Sequence, residues 1–229
     1  MNAAYSQIRA QIQAAAHHAG RNPDEITLIA VSKNQSPEAV AELYQLGHRD
    51  FGENYVQELT SKASALKALG CADIRWHFIG HLQTNKVKQL IGLVDTIHTV
   101  DSLRLAQEIK RRRPLSVKTC VTDAVLHLFL QVNIDREESK DGALPEETPA
   151  LAAQIASLPG IALQGLMAIP AQDHPDRAFA ALRNLEIQCR PHTQGKLSMG
   201  MSADFSLAIA QGATHIRVGT ALFGKFKRR

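Results

Sequence analysis

Apolar positions along the chain follow two alternating periods. Tyr5, Ile8, Ile12, Ala15, Ala16 and Ala19 recur at helical spacing up to Gly20, which predicts an amphipathic helix ending at the glycine. A polar turn, Arg21-Asn22-Pro23-Asp24, separates it from residues 26–31, which are apolar at nearly every position. Such a run suits a strand of a parallel sheet covered on both faces. Ser36-Pro37 then supplies an N-cap and a first helical residue for a helix with Val40, Leu43 and Tyr44 on its buried stripe, stopped at Gly47.

The alternation repeats to the end of the chain. Strands are expected over 48–51, 74–79, 96–100, 126–134, 162–169, 197–199 and 215–218. Helices are expected over 53–69, over 82–91, from an Asp101 cap to about residue 110, within 145–158, and over 175–188 and 203–211. That makes eight strands, each followed by a helix except the last, whose trailing piece is short. Strand–helix alternation implies parallel pairing with right-handed crossovers. Eight such units close naturally into an α/β fold of the (β/α)8 TIM-barrel type, here with an extra N-terminal helix. An open doubly wound sheet is the alternative; the first strand is not followed by GxGxxG, which weighs against its dinucleotide-binding version. Residues 112–125 read as an irregular connection.

Composition narrows the picture. The 229 residues form no tandem repeat, low-complexity tract or linker, so 1–229 is expected to be one domain. With 45% hydrophobic and 21% charged residues, wholesale disorder is excluded, and the apolar runs fall short of the roughly 20 residues that cross a bilayer. Cys71, Cys120 and Cys189 form no CxxC, and residues 1–20 contain no secretory apolar core, so a cytoplasmic protein is expected. The charge of +4 comes from two clusters, Lys110-Arg111-Arg112-Arg113 at a helix C-terminus and Lys225-Phe226-Lys227-Arg228-Arg229 in a solvated tail. Aromatic residues are only 5%, too few for the stacking platforms of a nucleic-acid face.

In a barrel, chemistry collects where strands end. Lys33 follows the apolar Ile29-Ala30-Val31 after a single intervening residue, Ser32. Burial there would disfavour its charge and make the amine a nucleophile for aldehydes; the plainer reading is a lysine snorkelling to solvent. After strands seven and eight, Ser198-Met199-Gly200 and Gly219-Thr220 offer hydroxyls and free backbone N–H groups where barrels commonly bind phosphate, although capping and turn formation use the same residues. Barrel closure sets strand eight beside strand one, so Lys33, Arg217 and Gly219-Thr220 can converge on one small ligand. An aldehyde-bearing phosphate fits, and the spacing alone does not name it. His77 and His81 have a metal-ligand spacing suited to a helix, but they fall on a strand end interrupted by Gly80, where a core or pocket pair is the plainer account.

Several longer stretches carry a resemblance. Ala30-Val31-Ser32-Lys33, Phe51-Gly52-Glu53-Asn54-Tyr55-Val56-Gln57-Glu58, Trp76-His77-Phe78-Ile79-Gly80-His81-Leu82-Gln83-Thr84-Asn85-Lys86, His98-Thr99-Val100-Asp101-Ser102, Gln131-Val132-Asn133-Ile134, Ser198-Met199-Gly200-Met201-Ser202-Ala203-Asp204 and Arg217-Val218-Gly219-Thr220 together resemble the YggS/PROSC-type pyridoxal 5′-phosphate-binding (PLP homeostasis) proteins, whose barrel is similar to the N-terminal domain of alanine racemases. The resemblance implies Lys33 as the lysine that forms an aldimine with pyridoxal 5′-phosphate (PLP) and Arg217 as the arginine facing the pyridine nitrogen. It implies Ser198, Met199, Gly219 and Thr220 as phosphate-binding residues, and Asn54 and His81 as pocket lining. It further implies a monomeric, non-catalytic carrier in intracellular PLP homeostasis, delivering to PLP-dependent apoenzymes, with no nucleic-acid or membrane partner and no metal. A weak amino-acid racemase is the alternative. The racemases take a tyrosine from a second domain that this chain is too short to contain, and Tyr5, Tyr44 and Tyr55 read as core or surface residues. Two departures stand out: Asn34 where the family pattern has Thr, and an unusual stretch over 117–126.

Overall fold

The computed structural model describes residues 1–113, 125–171 and 173–224. The strands β1 (Thr27–Val31), β2 (Asp50–Glu53), β3 (Arg75–Phe78), β4 (Thr96–Val100), β5 (Leu126–Gln131), β6 (Ile161–Met167), β7 (Lys196–Met201) and β8 (His215–Val218) close into a barrel in sequence order. Every neighbouring pair is parallel, and β8 returns to β1 with Ile29 opposite Arg217. The helices α1 (Asn2–His18), α2 (Pro37–Gln45), α3 (Val56–Ala68), α4 (Val87–Leu90), α5 (Leu103–Arg112), α6 (Thr148–Ala156), α7 (Pro175–Cys189), α8 (Phe205–Ala210) and α9 (Thr220–Phe223) alternate with the strands. This is the (β/α)8 architecture with a preceding helix that the alternation predicts.

Residues one apart on a strand face opposite sides, so the barrel has two cores. Outward positions, including Leu28, Ala30, Phe51, Trp76, Phe78, Leu128, Leu166, Leu197 and Ile216, pack with the helical stripes Val40–Leu43, Leu59–Leu66, Leu105–Ile109 and Phe179–Leu182 into one apolar cluster. Inward positions carry Ile29, Ile79, Phe129 and Met167 together with Asp50, His77, His98, Ser198, His215 and Arg217.

Local chemistry explains most boundaries. Ser36 caps α2, its hydroxyl accepting from the Ala39 N–H, with Pro37 at the first helical position. Three expectations need correction. The helix expected over 53–69 begins only at Val56, because β2 runs through Glu53, whose side chain is drawn into a buried ion pair. The helix expected over 82–91 is reduced to a 3-10 turn at Thr84–Lys86 and the single turn α4. Hydrogen bonds along the rim, from the Ile79 N–H to the Glu53 carbonyl and from the Thr99 hydroxyl to the Gly80 carbonyl, hold the chain extended there first. Ser102, not Asp101, caps α5 through the Leu105 N–H. Most of the connection over 112–125, with Cys120, and the basic cluster at 225–229 lie outside the described residues.

Candidate functional site

The C-terminal ends of β1 and β2 form one corner of the barrel mouth. Val31 lies opposite Gly52, so the turns that follow them, carrying Lys33 and Asn54, leave the barrel side by side. Lys33 itself sits in the turn after β1 and is exposed, which removes the burial on which the sequence argument for its activation rested. The turn that carries it is anchored from beneath. Ser32 is fully buried and its hydroxyl donates to Glu53 Oε1 at 2.7 Å. The Lys62 ammonium, from α3, reaches the same oxygen at 2.5 Å, the Ser32 carbonyl at 2.7 Å and Glu58 Oε1 at 2.8 Å. Glu58 in turn accepts from the Asn34 N–H at 2.6 Å. Burial pushes the Glu53 carboxyl up, against the pull of Lys62 and the Ser32 hydroxyl. Asn34 has φ of +61°, a left-handed conformation that asparagine adopts more readily than most residues.

Asn54 carries a buried Oδ1 with no hydrogen-bond partner among the described residues, a feature that costs stability unless a donor is supplied. Its backbone is packed against Gly80: a Cβ at residue 80 would lie 1.9 Å from the Asn54 carbonyl oxygen, so only glycine permits this approach. One residue on, His81 stands at the exposed rim, its Nδ1 paired with Asp141 at 2.9 Å. Asp101 joins this group, with ligand atoms of all three residues within 4.8 Å of one another. His77 lies within β3 and bonds inside the barrel, so the two histidines do not form a common site.

Below the mouth the interior is polar. Arg217 is buried, its Nη1 donating to Ser198 Oγ at 2.8 Å and its Nη2 to the Ala168 carbonyl at 3.0 Å. Both acceptors are neutral, and among the described residues no carboxylate pairs with this guanidinium. Burial lowers its pKa to about 10, still cationic at neutral pH. Ser198 Oγ also lies 2.8 Å from His98 Nδ1; His98 Nε2 lies 3.0 Å from His77 Nδ1; and His77 Nε2 lies 3.1 Å from Asp50 Oδ1. His98 stacks on Phe129 with ring centroids 4.6 Å apart, and His215 meets Phe129 edge-on. Burial drives His98 well below its ordinary pKa and His215 to about 3.

Ser198 and Met199 thus lie within β7 rather than in a loop. The Ser198 side chain faces inward on Arg217, while Met199 packs outward in the apolar cluster and presents only its backbone. Gly219 and Thr220 follow β8, with Gly219 against Val31: a Cβ there would sit 3.3 Å from the Val31 side chain and carbonyl. The Thr220 hydroxyl reaches Ser202 Oγ at 3.5 Å, joining the loops after β7 and β8. The sequence alone did not single out Asp50, His98, Glu53 or Lys62 as partners. For the histidines the signal was parity: His77 and His98 occupy inward positions of strands otherwise rich in apolar residues.

A family model described as the alanine racemase N-terminal domain matches residues 4–226. The chain is also 42% identical over 226 residues to the pyridoxal phosphate homeostasis protein of Escherichia coli K12, an alignment that covers 96% of this chain and 94% of that protein. It belongs to the pyridoxal phosphate homeostasis family. The Aquifex aeolicus pyridoxal phosphate homeostasis protein is 41% identical over 233 residues, with 97% and 96% coverage. Among solved structures, PipY of Synechococcus elongatus with PLP bound superposes with a TM-score of 0.76 at 35% identity, covering 93% of this chain and 100% of that one. The alanine racemase of Corynebacterium glutamicum matches at a TM-score of 0.62 and 16% identity over 94% of this chain and 59% of that chain, a likeness of fold alone.

Proposed function

We propose that this pyridoxal phosphate homeostasis family member binds PLP at the mouth of its barrel and carries it without catalytic turnover. The observation that supports this most directly is Arg217: a buried guanidinium with no carboxylate partner among the described residues, set inside the barrel beneath the Lys33 turn. Such a group fits a ligand that presents an acceptor to it. The unpartnered Asn54 Oδ1 on the same rim is a second point of fit, since it awaits a donor. PLP, when bound, supplies an aldehyde that condenses with a lysine amine with loss of one water, and Lys33 is the lysine we place there. Its exposure on a turn suits capture and release better than permanent burial. Arg217 would face the ring nitrogen, and Asn54 and His81 would border the ring. The backbone of Met199, together with Gly219 and Thr220, would receive the phosphate, and Ser198 would hold Arg217 in place.

Carriage rather than racemisation follows from two considerations. A guanidinium facing the ring nitrogen donates a hydrogen bond without giving up its proton, which leaves the ring a poorer electron sink than a carboxylate partner would. Racemisation also needs an acid on the face opposite the lysine, yet the Tyr44 hydroxyl is bound to Asp73 and that of Tyr5 to His48, while Tyr55 is exposed. As a carrier the chain would act as a monomeric single barrel in the cytoplasm, passing PLP to PLP-dependent apoenzymes when an incoming amine displaces Lys33. No helix among the described residues is long and apolar enough to cross a membrane.

The test is to add PLP to the purified protein and record near-ultraviolet and visible absorbance before and after borohydride, then to locate the reduced adduct by peptide mass analysis. A yellow band bleached by borohydride, with the adduct on Lys33 and absent in Lys33→Ala, is expected. An adduct scattered over surface lysines would refute the assignment of Lys33. Time-dependent loss of optical rotation from an L-amino acid, abolished by Lys33→Ala, would replace the carrier with a racemase.

A further inference from the structure

The polar contacts inside the barrel form one continuous column, and donor–acceptor accounting gives it a direction. Arg217 can only donate, so Ser198 Oγ accepts from it and the single hydroxyl proton is free for His98 Nδ1. His98, excluded from water and stacked on Phe129, carries its proton on the other nitrogen and donates it from Nε2 to His77 Nδ1. His77 then carries its proton on Nε2 and donates to Asp50, whose carboxylate also receives Arg75. Burial pushes the Asp50 carboxyl up, but the bonds from His77 and Arg75 outweigh it and hold it well below the usual range. Asp50 and Arg75 open β2 and β3, where Arg75 is exposed, so the column runs from the interior arginine to the N-terminal end of the barrel.

We propose that His98 and His77 are positioning residues for Arg217, acting through Ser198 as a column of fixed proton polarity anchored on Asp50. The polarity decides how Ser198 is oriented: with His98 Nδ1 bare, that nitrogen takes the Ser198 hydroxyl proton and leaves the Oγ lone pairs turned to the Arg217 N–H. In the polarity set by Asp50, Ser198 Oγ is held as an acceptor, and with the Ala168 carbonyl it fixes two arms of the guanidinium. The groups facing the two imidazoles are Asp50 from β2, Ser198 from β7, and His215 and Arg217 from β8, with Phe129 from β5 as the apolar wall.

This inference rests on the reading of Arg217 as a cofactor contact only for its functional consequence; the column is testable in the protein without PLP. Nitrogen-15 NMR of the histidine side chains is expected to show His98 protonated at Nε2 and bare at Nδ1 at neutral pH. The Arg217 side-chain N–H resonance is expected to be sharp, to shift in Asp50→Asn at the far end of the column, and to stay put in Phe78→Leu, which perturbs the outer core alone. With PLP, His98→Leu is expected to weaken affinity by about tenfold, the scale of one charge-assisted hydrogen bond, and His98→Gln, which can both accept and donate, to recover most of it. An Nδ1–H tautomer at His98, or an Arg217 resonance and PLP affinity unmoved by Asp50→Asn, would overturn the proposal. Should wild-type protein fail to bind PLP, the functional reading falls while the tautomer and resonance measurements still decide the column. Should a His98 variant fail to fold, the wild-type spectra and Asp50→Asn carry the test.

Discussion

The two faces of the barrel wall are built on opposite principles. Outward-facing strand residues such as Phe51, Phe78, Leu128 and Leu166 meet the helices through apolar contact alone, in one cluster that needs only approximate shape. The inward face has large apolar groups too, Ile29, Phe129 and Met167, but threads among them a column in which each polar atom needs one particular partner at one particular distance. The outer core holds the fold, and the inner one holds an arginine in place. A substitution outside should therefore cost stability in proportion to lost volume. A substitution inside should cost more in ligand geometry than in stability.

The largest way to sharpen that contrast is acid. His98 and His215 are neutral in the fold because burial depresses them, His215 to about 3 from an ordinary 6.5. The unfolded chain binds more protons throughout that window, so stability is full above about pH 6.5 and falls as pH is lowered toward 3, by about 1.4 kcal/mol per pH unit for each histidine. Thermal unfolding followed from pH 7 to 4 should show this, and His215→Gln should flatten the profile; a flat wild-type profile would show that the interior admits charge freely. Next in size, Phe78→Ala, fully buried in the outer core, should cost about 3–5 kcal/mol in urea unfolding while leaving the tautomer of His98 unchanged.

Lys62→Met is expected to cost a similar amount, about 3–5 kcal/mol, because it leaves Glu53 buried without its cation. It should also loosen the Lys33 turn, read as slower formation of the borohydride-reducible PLP adduct. Adding Glu53→Gln should restore stability but not the adduct rate, which separates burial of a charge from anchoring of the turn. Ser198→Ala removes one of the two acceptors of the Arg217 guanidinium and should cost about 1–3 kcal/mol in the same unfolding assay, with a larger proportional loss of PLP affinity. The smallest effect is expected at the surface. Arg111→Ala, which removes an exposed ion pair with Glu108 on its own helix, should change stability by less than about 0.5 kcal/mol.

What could be read in advance follows the same division. The alternation of short apolar runs with amphipathic stripes, punctuated by Ser36-Pro37 and the helix-ending glycines, determined the strand count, the parallel order and the barrel, because outer packing is non-directional and depends on periodicity alone. Lys33, Arg217 and Gly219 were legible as a group for a related reason: closure makes β8 the neighbour of β1, whatever the side chains do. The failures cluster where a specific partner decides. Glu53 looked like the start of a helix until Lys62 claimed it, and the choice between a buried and a solvent-facing Lys33 was decided only by the turn after the buried Ser32, which leaves it exposed. His77 and His98 could be placed on strands, but their meeting depends on the register between β3 and β4 and on the bulge between β4 and β5. A hydrogen bond is sensitive to shifts of a few tenths of an ångström, and such distances are decided only when the whole barrel has closed.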